Sequence, residues 1–99
     1  MEYGATQKTT QKTKTWWLYL LECKHNRLYT GIALDVHARF ALHASGKGAK
    51  FTRANPPISI LAAQPFESRS AALKAEHALK KLTATQKRLW ADAVCCASC

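Results

Sequence analysis

Two tyrosines ten residues apart, Tyr19 and Tyr29, an arginine and a histidine four residues apart, Arg39 and His43, and the helical glutamate Glu76 are the side chains of this chain whose types and spacing could do chemistry. Arg39 and His43 stand at i,i+4 and share a helix face. A guanidinium is a planar fork suited to phosphate oxygens, although a lone basic residue on a helix is most often simply solvated. His43 falls on the stripe of Val36 and Phe40, where a half-buried, satisfied histidine is the expected outcome. Each tyrosine can pack its ring in a core and present its hydroxyl at the edge. Glu76 lies about 60° round the helix from both Leu73 and Leu79, on the flank of the apolar face. A carboxylate there must be paired, solvated at a cleft, or bound to a cation. Lys80, one turn on, offers an ion pair in the favoured Glu-before-Lys order, and such pairs are common on helices. His25 and His37 read as surface residues, His77 need not share the side of Glu76, and the histidines have no metal-site spacing. Lys47-Gly48-Ala49-Lys50 resembles a phosphate-contacting loop without the glycine spacing of a Walker motif.

The elements that must position these groups follow from local pattern. Trp16 to Cys23 is an aromatic and aliphatic run bounded by Lys24-His25-Asn26, and Arg27 to Ile32 returns as its antiparallel partner, because so short a connection cannot carry a crossover. Gly31 within this second strand implies a bulge or a close approach of backbone to a ligand. Asp35 can cap a helix to about Ala44, ended by Ser45-Gly46-Lys47-Gly48. Lys50 to Asn55 reads as a basic loop, and Pro56-Pro57 precedes a third strand over Ile58 to Ala63. Ser68 or Ser70 starts a helix ending near Leu82, and Thr83-Ala84-Thr85-Gln86 matches a capping box that opens a last helix to about Ala93. The order gives an α/β fold, a small sandwich with a three-stranded antiparallel sheet flanked by helices.

At 99 residues the chain supports one domain, burying ~65% of its unfolded surface. The expected organisation is a disordered basic tail over 1–15, the folded domain over 16–93, and a cysteine-rich tail over 94–99. Fifteen Lys and Arg against six Asp and Glu give a formal charge of +9, which favours a polyanionic partner. From Cys23 to Phe66 the only carboxylate is Asp35, so the middle of the chain is basic, and nucleic acid is the simplest partner. An anionic membrane surface is disfavoured for want of a long basic amphipathic helix, and no apolar run is long enough to span a bilayer. The first fifteen residues lack the apolar stretch of a secretory signal. Cys95, Cys96 and Cys99 do not form a disulfide framework or a finger-type zinc pattern, and reduced thiols in a cytoplasmic protein are expected.

Taken in order, Trp17-Leu18-Tyr19, Tyr29-Thr30-Gly31, Asp35 to Arg39, His43 and the helical Glu76 resemble the pattern of the GIY-YIG nuclease family. Leu28-Tyr29-Thr30-Gly31-Ile32, Ser45-Gly46-Lys47-Gly48-Ala49-Lys50 and Leu79-Lys80-Lys81-Leu82 are most similar to its stand-alone YhbQ-like branch. The resemblance covers roughly Trp16 to Trp90. It implies a three-stranded α/β sandwich and metal-dependent hydrolysis of phosphodiester bonds in DNA, with RNA the less favoured substrate and a monomer expected. Glu76 would hold one Mg²⁺ or Mn²⁺, Arg39 would neutralise the phosphate, Tyr29 would be the general base, Tyr19 would orient water or substrate, and His43 would assist proton transfer or hold the cleft. A free tyrosine has a pKa near ~10, so Tyr29 in that role requires nearby cations. Arg27, Lys47, Lys50 and Arg53 would bind the nucleic-acid backbone, giving low sequence specificity and steep salt dependence. Ile32 stands where many family nucleases carry a lysine, and no asparagine follows Asn55. These differences keep open a second reading, a non-catalytic nucleic-acid-binding module of the same fold. A small basic RNA-associated protein of unrelated fold would explain the charge but not the order of the motifs.

Overall fold

The protein's structure, a computed structural model, describes residues 14–98. The expectations for residues 1–13 and for Cys99 lie outside the described residues. Strands β1 (Trp16–Cys23), β2 (Arg27–Ala33) and β3 (Pro57–Phe66) form one antiparallel sheet in the order β2-β1-β3. Helices α1 (Val36–Ala44) and the short α2 (Lys50–Ala54) lie between β2 and β3, and α3 (Arg69–Lys80) and α4 (Ala84–Ser98) follow β3. The fold is therefore the three-stranded α/β arrangement expected.

β1 is paired on both edges and covered on both faces, which is why it reads as a nearly continuous apolar run instead of an alternating one. On one face Tyr19, Leu21 and Cys23 pack with Ala33 and Val36, joined by Trp17, Tyr29, Phe40, Ile60 and Ala63. On the other Leu20 packs with Ala62 and Ala91, joined by Leu28, Leu61, Trp90 and Val94. Leu20 and Leu21 are both 0% exposed. Burial of each contributes ~1.5–3 kcal/mol, enough to make β1 the rigid platform from which Tyr19 projects.

The caps close where local chemistry requires. The Asp35 carboxylate accepts from Ala38 N at 3.0 Å. Ser68, not Ser70, caps α3 by accepting from Ala71 N at 3.1 Å. Thr83 and Gln86 exchange reciprocal side chain–backbone bonds of 3.0 and 3.1 Å, a complete capping box.

Three expectations are corrected. Residues 50–54 are not loop but the helix α2, in which Thr52 N and Arg53 N both bond to Ala49 O at 3.1 Å. The β1–β2 ladder runs unbroken through Gly31, and the register shifts lie instead between β1 and β3. The last helix does not stop at Ala93 but reaches Ser98, because Val94 joins the core with Ala91 and the Cys95 thiol donates to Leu61 O at 3.1 Å. Cys23 is a buried free thiol and Cys95 an exposed one. Among the described residues, no helix is long and apolar enough to cross a membrane.

Candidate active site

Register brings the tyrosines together. Tyr19 pairs with Gly31 and Leu21 with Tyr29, so the tyrosines are diagonal neighbours on one face of the sheet, with ring centroids 6.3 Å apart. A Cβ on Gly31 would stand 2.5 Å from Tyr19 Oη. What lies across Gly31, where a bulge or a ligand was expected, is the Tyr19 ring of the neighbouring strand.

His43 is the third ring, 6.3 Å from Tyr19 and 4.9 Å from Tyr29. It is 3% exposed on the inner face of α1. Its Nδ1 lies 2.8 Å from Thr52 Oγ1, and its Nε2 lies 3.1 Å from Tyr19 Oη. Thr52 donates its one hydroxyl proton to Ala49 O at 2.9 Å, so toward His43 it can only accept. That requires the proton on Nδ1 and leaves Nε2 to accept from the Tyr19 hydroxyl. The Ala49 N–H, 3.5 Å from Nδ1, is too distant to compete. A chain of hydrogen bonds thereby runs Tyr19 to His43 to Thr52 to the backbone of the turn before α2.

Electrostatics fix the protonation of this chain. Burial, and then the Arg39 charge, hold the His43 pKa below its ordinary value. Burial first, then Tyr29, and also Glu76, push the Tyr19 phenol far above its ordinary range, with Arg39 acting in the opposite sense. Tyr19 is therefore a protonated hydrogen-bond donor at neutral pH and not a base. The same influences locate Arg39 and Glu76 within electrostatic reach of one phenol, although they stand on α1 and α3.

These shifts set a stability profile. A histidine whose folded pKa is depressed leaves stability intact above its unfolded value, near 6.5, and removes it as pH falls below that value. The Tyr19 phenol and the Cys23 thiol, which burial also pushes up, contribute stability that is lost as pH rises past their ordinary values of 10.0 and 9.0. The melting temperature should form a plateau between these limits. A scan of Tm against pH should lose much of its acid slope in His43→Gln, and an unchanged slope would exclude His43 as its source.

Glu76 lies beside the buried stripe of Ala72 and Leu79. Its side chain is 16% exposed, and its carboxylate is 3.2 Å from Lys80 Nζ, the ion pair anticipated from spacing. It opens onto a shallow cleft of about 420 Å³ with Leu73, Lys74, His77 and Lys80. Among the described residues no group of three or more His, Cys, Asp or Glu gathers, so no all-protein metal cage exists there. One carboxylate at an open cleft instead fits a hard divalent cation that keeps water and takes the rest of its shell from a phosphate.

Of the basic residues, Lys50 and Arg53 are exposed on α2, while Phe51 of the same helix lies 5.8 Å from the Tyr29 ring. α2 therefore carries that charge to the edge of the site. Lys47 is exposed on the loop before α2, and Arg27 is exposed at the start of β2. Among the described residues Arg39 makes no ion pair or side-chain hydrogen bond. The residue that sequence reasoning missed is Thr52, 0% exposed. Nothing in a stretch flanked by Lys50 and Arg53 signals a buried hydroxyl.

With sheet, tyrosine pair and helical glutamate in this arrangement, comparison with known proteins defines the class. The GIY-YIG catalytic domain matches residues 15–89, and the chain belongs to the GIY-YIG family. Within it, the chain is similar to proteins called UPF0213. One from Cupriavidus necator is 56% identical over 73 residues, covering 74% of this chain and 79% of its own. The UPF0213 protein YhbQ of Escherichia coli is 46% identical over 72 residues, covering 73% and 72%. A UPF0213 protein from Bacillus halodurans, solved by NMR, is 38% identical, with a TM-score of 0.51 over 80% of this chain and 84% of that one.

Proposed function

We propose that the chain is a divalent-metal-dependent endonuclease that hydrolyses phosphodiester bonds in DNA with little sequence specificity of its own. The observation that carries the reading is the convergence on one buried phenol. The Tyr19 and Tyr29 rings lie 6.3 Å apart on one face of the sheet, and the charges of Arg39 on α1 and Glu76 on α3 both reach the Tyr19 phenol. In this reading Glu76 holds one Mg²⁺ or Mn²⁺. When bound, the ion polarises the phosphate and makes water a better nucleophile. Arg39, which makes no ion pair among the described residues, neutralises the developing phosphate charge. Tyr29, half-buried beside His43 and Phe51, takes the proton of the attacking water. Tyr19 cannot, since its proton is committed to His43 Nε2; its ring and hydroxyl hold the floor of the site in place. A basic surface with free thiols suits a cytoplasmic protein acting as a monomer.

One observation favours the second reading, a nucleic-acid-binding module without hydrolysis: the Glu76 carboxylate is already engaged by Lys80 at 3.2 Å. Cleavage of labelled single-stranded, duplex and branched DNA in Mg²⁺, Mn²⁺ or EDTA separates the two. Metal-dependent product supports the endonuclease. Binding without product in any metal, weakened when Lys47, Lys50 and Arg53 are neutralised together, establishes the module in its place.

A further inference from the structure

We infer that an unpaired nucleotide of the bound strand is seated on Phe51, with its phosphate held between Arg27 and Lys87. The inference rests on the phosphodiester-cleaving reading above and adds the kind of strand the site accepts. A notch of about 210 Å³, lined by Asn26, Arg27, Leu28, Phe51, Ala84 and Lys87, adjoins Tyr29 through the Phe51 ring. Three separated segments build it: the end of the β1–β2 turn with the start of β2, the helix α2, and the first turn of α4.

Phe51 is 38% exposed, on the helix that also carries the exposed Lys50 and Arg53. Its ring lies 5.8 Å from Tyr29 at 31°, so Tyr29 helps to hold it. An aromatic platform among cations is the arrangement by which proteins hold single strands, since every base has a face to stack and every link a phosphate to neutralise. A base inside a duplex has both faces covered and cannot use it.

The charges are available. Arg88, next to Lys87, is taken up by Glu22 at 3.7 Å and Asn26 Oδ1 at 3.1 Å. Arg27 and Lys87, both lining the notch, make no ion pair among the described residues. Arg27 also stands two strand positions before Tyr29, on the same face and ~6.6 Å along β2, so a strand entering the tyrosine site passes the notch with its neighbouring nucleotide.

The test is binding in EDTA, where metal-dependent hydrolysis is silent, read by fluorescence anisotropy. The probes are labelled oligothymidine, the same strand with abasic positions, oligouridine and blunt duplex DNA. Phe51→Ala should weaken binding of both base-bearing single strands ~10-fold while leaving the abasic strand and the duplex unchanged. Phe51→Trp, which keeps a stacking face, should retain wild-type affinity. Arg27→Ala and Lys87→Ala should each lower the slope of log affinity against log salt by ~0.7 on single strands. Equal losses on single strand and duplex, an abasic strand bound as tightly as an intact one, or no effect of Phe51→Ala would each overturn the inference. Because the reading uses no turnover, a protein that binds in this way but never cleaves would refute the endonuclease alone.

Discussion

Glu76→Ala is expected to reduce metal-dependent cleavage by at least ~100-fold while the fold is retained. Loss of a metal-supported interaction with a transition-state charge removes several kcal/mol, and each ~1.4 kcal/mol is a factor of ten in rate. The fold should tolerate the change. Glu76 makes one i,i+4 pair, and its partner Lys80 is 56% exposed, so the pair contributes only ~0.3–0.5 kcal/mol. Circular dichroism should therefore be unchanged and Tm should move by no more than ~4 °C. Glu76→Gln keeps the shape and removes the charge. It should be nearly as inactive as the alanine variant if the carboxylate holds a cation. Lys80→Ala releases the carboxylate, and its metal requirement should be met at equal or lower metal concentration. Cleavage by Glu76→Ala at the wild-type rate would remove this residue from the site.

The largest stability effect is expected at Gly48. A Cβ built there overlaps His43 Nδ1, and no left-handed backbone is involved, so the collision alone sets the cost. His43 cannot turn aside without cost, because its two nitrogens are bound to Thr52 at 2.8 Å and Tyr19 at 3.1 Å and the ring is 3% exposed. Overpacking of this kind costs ~1–3 kcal/mol, and each lost hydrogen bond adds ~1 kcal/mol. Gly48→Ala should thus lose ~2–4 kcal/mol in urea denaturation, which lowers Tm by roughly 10–25 °C for a domain of this size. Gly46→Ala is the comparison, since Gly46 meets no atom within 4 Å and only its φ of +84° opposes the change. It should cost ~1 kcal/mol, the difference between glycine and alanine in that backbone region. If Gly48→Ala melted with the wild type, His43 would not be the locked ring described above.

The structure bears on two different kinds of inference from the sequence. Trp16–Cys23 and Arg27–Ala33 were legible as a hairpin because an apolar run, a polar turn and a second run leave one way to pair. Helix starts at Asp35 and Thr83 were legible because a cap is a bond between a side chain and a backbone N–H three residues on, whereas the structure chose Ser68 over Ser70 for α3. The Glu76–Lys80 pair is local in the same sense. α2 was not legible. Five residues seldom hold helical form alone, since nucleation is costly, and Lys50 and Arg53 make the segment look solvated. What anchors it is Thr52 bonded to His43 on α1, a contact between residues nine apart that no propensity encodes.

The sequence by itself determined the charge of +9, the strands, the caps and the order of tyrosines, arginine and glutamate, because each depends on composition or on neighbours within about one helical turn. Only the tertiary structure decided the tautomer of His43, the burial of Thr52, the commitment of the Tyr19 proton and the meeting of Arg27, Phe51 and Lys87 around one notch. These depend on which elements touch, and contact between distant elements is decided when the two faces of β1 are buried together.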